Sequence, residues 1–282
     1  MRDSENSEVS DVETQVRTFY DNFGWSDNDG IKGEDLSFRM FRPAYYPYHE
    51  IVEARTKGAF EPFEGEILIV GCGDMPANHV DIATRFDKTT CIDISQRALD
   101  ISREQLPETA KMVLGSILDN DFADNSFDSI FCAHVLYHID ASSQERAMRE
   151  MIRVTKPGGK IVVIYSNPHS PLRYMCSAAK RVNNLVAKVR GREKQHRETT
   201  GQERPKLYFF AHSLGWWSRF SDQCDLMMLP WDVIGSFEER QLIPGDRSAR
   251  LFYRWSAWLE QRFPRAAVKL WQYPLVVLTK TH

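Results

Sequence analysis

The chain has 282 residues, with 42% hydrophobic and 27% charged side chains and a formal net charge of −3. This make-up is that of a globular protein, and its near-neutral balance gives no field that would recruit nucleic acid, so no nucleic-acid partner is expected. No apolar run reaches the length that crosses a bilayer. Met1–Glu13 is acidic and hydrophilic where a secretion signal is basic and then apolar, so the reading is a cytoplasmic protein whose first residues fray. Five cysteines with no CxxC pair read as reduced, buried thiols, with neither a metal nor a redox dithiol expected.

In chain order, the segment from about Phe63 to Ser166 alternates short apolar runs with amphipathic stretches, the pattern of a parallel sheet covered on both faces. Strands are predicted at Ile67–Val70, Thr90–Ile92, Lys111–Leu114, Ser129–Cys132 and Lys160–Tyr165. A helix is predicted from about Ala77 to Phe86. A second, N-capped by Ser95, carries Ala98, Leu99, Ile101 and Leu106. A third opens at Ser142 or Ser143 and places Ala147, Met148, Met151 and Ile152 on one face. Pro157-Gly158-Gly159 predicts a tight turn into the fifth strand.

Beyond this the alternation breaks. Leu172, Met175, Cys176, Ala179, Val182, Leu185, Val186 and Val189 recur at helical spacing, with Arg173, Lys180, Arg181, Lys188 and Arg190 off that stripe. The polar, basic stretch 191–206 reads as a loop. An aromatic segment follows: Tyr208, Phe209, Phe210, Trp216, Trp217 and Phe220. Strands six and seven are expected within Asp225–Pro230 and at Leu275–Thr279. Between them, Ser248–Phe263 reads as a helix that turns Leu251, Trp255, Trp258 and Leu259 to a core.

The chemistry concentrates where the first strand meets Gly71-Cys72-Gly73-Asp74, with Asp93 ending the second strand. Glycines at such a turn let a ligand reach the backbone, and a carboxylate at the next strand end accepts hydrogen bonds from both hydroxyls of a ribose. Pro76 stands where a dinucleotide fingerprint needs a small residue, and no Gly-x-x-x-x-Gly-Lys-Ser/Thr is present, so a nicotinamide dinucleotide is disfavoured and a P-loop excluded.

Four ordered pieces decide among the remaining nucleoside cofactors: Ile67–Gly73; Cys91–Ser95; Gly115-Ser116-Ile117 followed by Phe122–Asp128; and Arg153–Lys160. Together they make the chain resemble the class I S-adenosylmethionine-dependent methyltransferases, nearest the small-molecule branch that includes ubiquinone-biosynthesis methyltransferases. The resemblance covers about Val16–Ile164 and returns in the final strand. It departs from the family at Ile69, where an acid is frequent, and at Met75, where a third glycine falls.

The resemblance implies an α/β, Rossmann-like, doubly wound seven-stranded sheet with a helical and aromatic cap inserted in the C-terminal third. It implies S-adenosylmethionine held by Tyr20, Gly71, Cys72, Gly73, Asp93, Ile94, Ser116, Ile117, Ala133 and His134. It places His169 and His212 near the acceptor as candidate general bases. The expected organisation is an N-terminal helical segment over the cofactor (1–60), the binding core (61–166), the cap (167–223) and the last strands with an inserted helix (224–282). His134 and His138 have the spacing of one helical turn, which can bind zinc, but no Glu follows His134, so a structural or cofactor-shell role is favoured.

The implied activity is methyl transfer to a small-molecule or glycoconjugate acceptor, anionic or lipid-linked among the options that the basic stretch 173–206 leaves open. A peripheral membrane contact is one further reading of that stretch. A non-catalytic methyltransferase-like module acting through its cap on a protein or membrane partner is the rival reading. Which acceptor, and which of its atoms, the residues do not name.

Overall fold

The computed structural model describes residues 2–24, 42–178, 181 and 207–282. Its centre is one seven-stranded sheet in the order β3-β2-β1-β4-β5-β7-β6. The strands are β1 (Glu66–Val70), β2 (Lys88–Asp93), β3 (Lys111–Leu114), β4 (Phe127–Ala133), β5 (Thr155–Ile164), β6 (Cys224–Asp232) and β7 (Tyr273–Lys280). The first five pair in parallel. β7 runs antiparallel to both β5 and β6, so β6 shares the direction of β1–β5. The chain winds outward from β1 to β3 and then returns to lay β4 on the other side of β1. That reversal opens a crevice at the carboxyl ends of β1 and β4, where such sheets take ligands.

Alternation along each strand supplies two cores. Leu68, Val70, Ile130, Cys132, Ile161, Val163, Val276 and Leu278 face one side, with Ala147, Met148, Met151 and Ile152 of the helix Gln144–Val154. Trp216, Trp217 and Phe220, on a 3₁₀ turn at Leu214–Phe220, pack into the same layer as core residues. Ile67, Ile69, Phe131, Val162, Ile164, Leu275 and Val277 face the other side, against Ile82 and Ala83 of the helix Ala77–Ala83 and Ala98 and Leu99 of the helix Gln96–Gln105. Ser95 caps the latter as expected, its Oγ accepting the Ala98 N–H at 3.2 Å. Pro157–Gly159 forms a bulge within β5 rather than a turn before it: the pairing steps from Phe127–Thr155 to Ser129–Lys160, and Gly158 takes a φ of +79°.

Two further readings differ from the structure. The first residues, read as fraying, are helical: α1 spans Arg2–Phe19 and a π-turn at Tyr20–Gly24 continues it. The helix Asp246–Arg262 (called αW below) has the expected period but the opposite phase. It buries Ala249, Tyr253, Ser256 and Glu260 and leaves Leu251, Trp255 and Trp258 exposed, while Leu259 alone of the expected four packs against the core. The carboxylate of Glu260 has distant partners. Glu260 receives hydrogen bonds from Tyr48 Oη at 2.5 Å, Arg55 at 2.8 Å and Trp271 Nε1 at 2.7 Å. The helix Tyr46–Gly58, which carries Tyr48 and Arg55, thereby locks αW over the third core cluster of Tyr45, Val52, Val233, Ile234 and Trp271.

Of the amphipathic stripe predicted from Leu172, a helix over 171–178 is described. There Cys176 is buried and Met175 is exposed. Ala179, Lys180, Val182 through Arg190 and the loop to Lys206 lie outside the described residues.

Candidate functional site

The turn that ends β1 alternates left-handed residues: Gly71 at φ +69°, Gly73 at +58° and Met75 at +41°. Two of the three are glycine, for which this region carries no Cβ penalty. Met75 holds it because its N–H bonds to Cys72 O at 3.2 Å and its side chain is fully buried beneath the sheet. Gly71 N–H reaches Ile92 O at 2.8 Å and ties the turn to the end of β2.

Asp93 ends β2 beside this turn. Its Oδ2 accepts the Gly73 N–H at 3.2 Å and its Oδ1 the Ser95 N–H at 2.9 Å, with Cys72 Sγ 3.8 Å from Oδ2. Burial raises its pKa, and these hydrogen bonds oppose the rise. One bond from each side fixes the carboxyl plane at the crevice. Ser95 donates its Oγ hydrogen to Asp21 Oδ1 at 2.5 Å, and Arg97 bonds Asp21 O at 3.1 Å, so the segment after α1 is pinned beside the same strand end.

All ten residues expected to hold the cofactor line a single cavity. Tyr20 comes from the π-turn, Gly71, Cys72 and Gly73 from the β1 turn, Asp93 and Ile94 from the end of β2, Ser116 and Ile117 from the loop after β3, and Ala133 and His134 from the end of β4. The sequence reading missed part of the wall. Val12, Glu13 and Val16 of α1, Pro76 and His79 after β1, and Ile139 and Asp140 after β4 also line it, as does His138, for which a structural or cofactor-shell role is expected from the sequence. A signal existed for α1: Val12 and Val16 lie one helical turn apart just ahead of Phe19-Tyr20. Ser116 Oγ donates to Glu13 Oε2 at 2.8 Å, closing α1 onto the β3 loop.

His134 sits at φ +62°, its Nδ1 2.8 Å from Tyr137 Oη and its ring edge-on to Trp231 (5.0 Å) and Tyr273 (5.7 Å). Burial, with smaller contributions from His79 and His138, pushes its pKa down to about 3. His79, its ring 4.7 Å from Phe131, is pushed down to about 4 by burial. Both are neutral imidazoles near pH 7. His138 Nδ1 lies 2.7 Å from the carbonyl of Tyr208, so it is the protonated, donating nitrogen of that ring. The described residues hold no group of three or more His, Cys, Asp and Glu that could bind a metal.

His169 and His212 are not brought to the cavity. His169 lies exposed on a turn after β5, 3.4 Å from Tyr174 Oη. His212 stacks flat on Trp216 at 4.6 Å, and its backbone N–H donates to Tyr165 Oη at 2.9 Å. The segment 207–213 runs along the outside of Tyr137 and His138, with Phe210 N–H on Tyr137 O at 2.8 Å, and this turns His212 into the aromatic layer.

Residues 68–163 match the family model described as a methyltransferase domain. The ubiquinone/menaquinone biosynthesis C-methyltransferase UbiE of Cronobacter sakazakii is 32% identical over 136 residues, 44% of this chain and 53% of that protein. The chain thus spans about half the length of this curated relative. Among solved structures, the N-methyltransferase NodS of Bradyrhizobium japonicum aligns over 96% of this chain and 97% of its own, with a TM-score of 0.51 at 13% identity. The geranyl diphosphate C-methyltransferase of Streptomyces coelicolor aligns over 95% and 98%, with a TM-score of 0.54 at 15% identity. At such identities the likeness is one of fold. Cavity, sheet order and domain match converge: over residues 68–163 this chain resembles a methyltransferase domain, UbiE among its relatives, and its sheet has the fold of a solved N-methyltransferase.

Proposed function

We propose that this protein transfers a methyl group from S-adenosylmethionine to a small-molecule acceptor. The observation that carries the reading is the meeting, in one crevice, of the Gly71–Gly73 turn, the doubly bonded Asp93 carboxylate and the Ser116-Ile117 loop. These residues fit the cofactor. Asp93 Oδ1 spends one lone pair on a backbone N–H and has another for a ribose hydroxyl, while Oδ2 takes the Gly73 N–H and the weak Cys72 thiol donor, which a second hydroxyl can displace. Ile94 and Ile117 offer apolar faces for a purine ring, and the β1 turn lets the amino-acid end approach the backbone.

When bound, S-adenosylmethionine supplies a methyl group that is already electrophilic on its sulfonium. The protein's task is then to align the acceptor and exclude water, and alignment can supply about 7–11 kcal/mol. His79 and His134 stand on the cavity wall as neutral imidazoles; their lowered basicity suits them to hydrogen bonding and positioning rather than to taking a proton. A glycoconjugate is the finer form of this acceptor class. The activities named for the relatives, ubiquinone/menaquinone C-methylation and geranyl diphosphate C-methylation, support a small molecule.

Calorimetric titration with S-adenosylhomocysteine tests the reading. Binding that Asp93→Ala weakens about tenfold or more is expected, and absence of binding at millimolar ligand overturns it. Incubating labelled cofactor with a metabolite extract then separates the rival: tight binding without any methylated product identifies a non-catalytic module.

A further inference from the structure

The face that αW turns away from the core is chemically unusual for an outer surface. Leu251 is 67% exposed, Trp258 54%, Phe263 48% and Trp255 47%. Leu251, Trp255 and Trp258 follow helical spacing along one stripe, and Phe263 closes it beyond the last turn, its ring 6.1 Å from that of Trp258. Trp255 is backed from inside by Trp271 at 5.9 Å, so the stripe is held rigidly. Arg247, Arg250, Arg254, Arg262 and Arg265 surround it, all exposed, and none is in an ion pair among the described residues. The two acids of the helix are engaged elsewhere: Asp246 pairs with Arg42 at 3.1 Å, and buried Glu260 with Arg55 at 2.8 Å. The outer face is therefore aromatic and cationic, with no free acid.

We propose that this face docks on the surface of an anionic lipid bilayer, with Leu251, Trp255 and Trp258 entering the headgroup boundary and the arginines meeting lipid phosphates. Tryptophan and leucine flanked by arginine on a helix are the composition that lies in a membrane interface. At about 25 Å long, αW presents a nearly straight line of contact to a flat surface. A second copy of the chain fits worse, because a two-fold contact would bring like-charged arginines together. A single-stranded nucleic acid needs a basic groove with stacking platforms, and this face is a single helix with an aliphatic residue at one end. αW belongs to the β6–β7 connection, which lies on the carboxyl edge of the sheet, the edge that opens the cavity. Docking does not depend on the reaction proposed above.

Sedimentation of the full chain with vesicles tests this. Vesicles of one part phosphatidylglycerol to two parts phosphatidylcholine should carry the protein down, and pure phosphatidylcholine should carry far less. Trp255→Ser with Trp258→Ser should lower the partition coefficient about tenfold for each residue, and Arg250→Gln and Arg254→Gln about fivefold for each charge, with thermal melts that match the wild type. No sedimentation with anionic vesicles overturns the proposal. So does binding unchanged in the tryptophan variant, or binding lost only in Lys180→Gln/Arg181→Gln/Lys188→Gln. A wild-type dimer that the tryptophan variant splits, with no vesicle binding, assigns the face to a second copy instead.

Discussion

A methyl group added to Gly71 would stand 2.3 Å from Cγ2 of Val135. The turn after β1 and the loop after β4 therefore touch at this point, and the glycine is demanded by protein packing as well as by cofactor approach. Gly71 also sits at φ +69°, so Gly71→Ala meets strain and overlap together. We expect it to cost about 2–4 kcal/mol of stability and to weaken S-adenosylhomocysteine binding. Val135→Ala in the same chain should restore part of the stability in a urea titration, because it removes the overlapping methyls but not the strained backbone.

Met75→Gly tests a balance of two terms. Relief of the left-handed backbone returns about 1–2 kcal/mol, whereas losing a fully buried methionine side chain costs about 2–5 kcal/mol. The variant should be the less stable protein by chemical denaturation, and a gain in stability would show that strain dominates this turn.

The buried histidines set an acid limit. His79 and His134 hold pKa values of about 4 and about 3 against an ordinary 6.5. As pH falls below about 6.5, the unfolded chain takes up protons that the folded protein refuses. Stability is therefore flat above that point and falls below it, by ~1.4 kcal/mol per pH unit for each histidine, until the folded values are reached. Melting curves from pH 8 to 4 should show this loss, and His79→Phe should reduce its slope.

Glu260→Ala removes the acceptor shared by Tyr48, Arg55 and Trp271 and leaves a half-buried guanidinium without its carboxylate. A loss of about 3–5 kcal/mol is expected. Glu260→Gln, which keeps an acceptor oxygen, should lose less.

α1 is joined to the core through Glu13–Ser116 and Asp21–Ser95 and lines the cavity with Val12 and Val16. Its amides should exchange faster than those of β1 and β4 in the free protein and slow on addition of S-adenosylhomocysteine. Hydrogen exchange that the ligand leaves unchanged across residues 11–20 would remove α1 from the binding site.

Much of this molecule was legible before any coordinates. Strands buried on both faces read as apolar runs, and the helices between them as periodic stripes, so β1–β5 emerged with their ends displaced by a few residues. The wall of the cavity was legible because its members sit at strand ends, where glycine, acid and small residues carry a local signature. αW was misread for a physical reason: hydropathy assigns its tryptophans to a core, but the buried face is chosen by Glu260, whose partners Tyr48 and Arg55 lie 212 and 205 residues away in the chain. His169 and His212 failed similarly, because closeness to a strand end in sequence says nothing of which way a later loop turns.

The sequence by itself determined the doubly wound sheet and its nucleoside crevice, since both follow from local periodicity and from residues within one strand-turn-strand unit. Only the tertiary structure decided which histidines face the crevice, that α1 closes it, and that αW shows its tryptophans to the outside. Those are outcomes of contacts between distant segments, in which satisfying a buried charge or filling a gap against a neighbour outweighs the preference of any single residue.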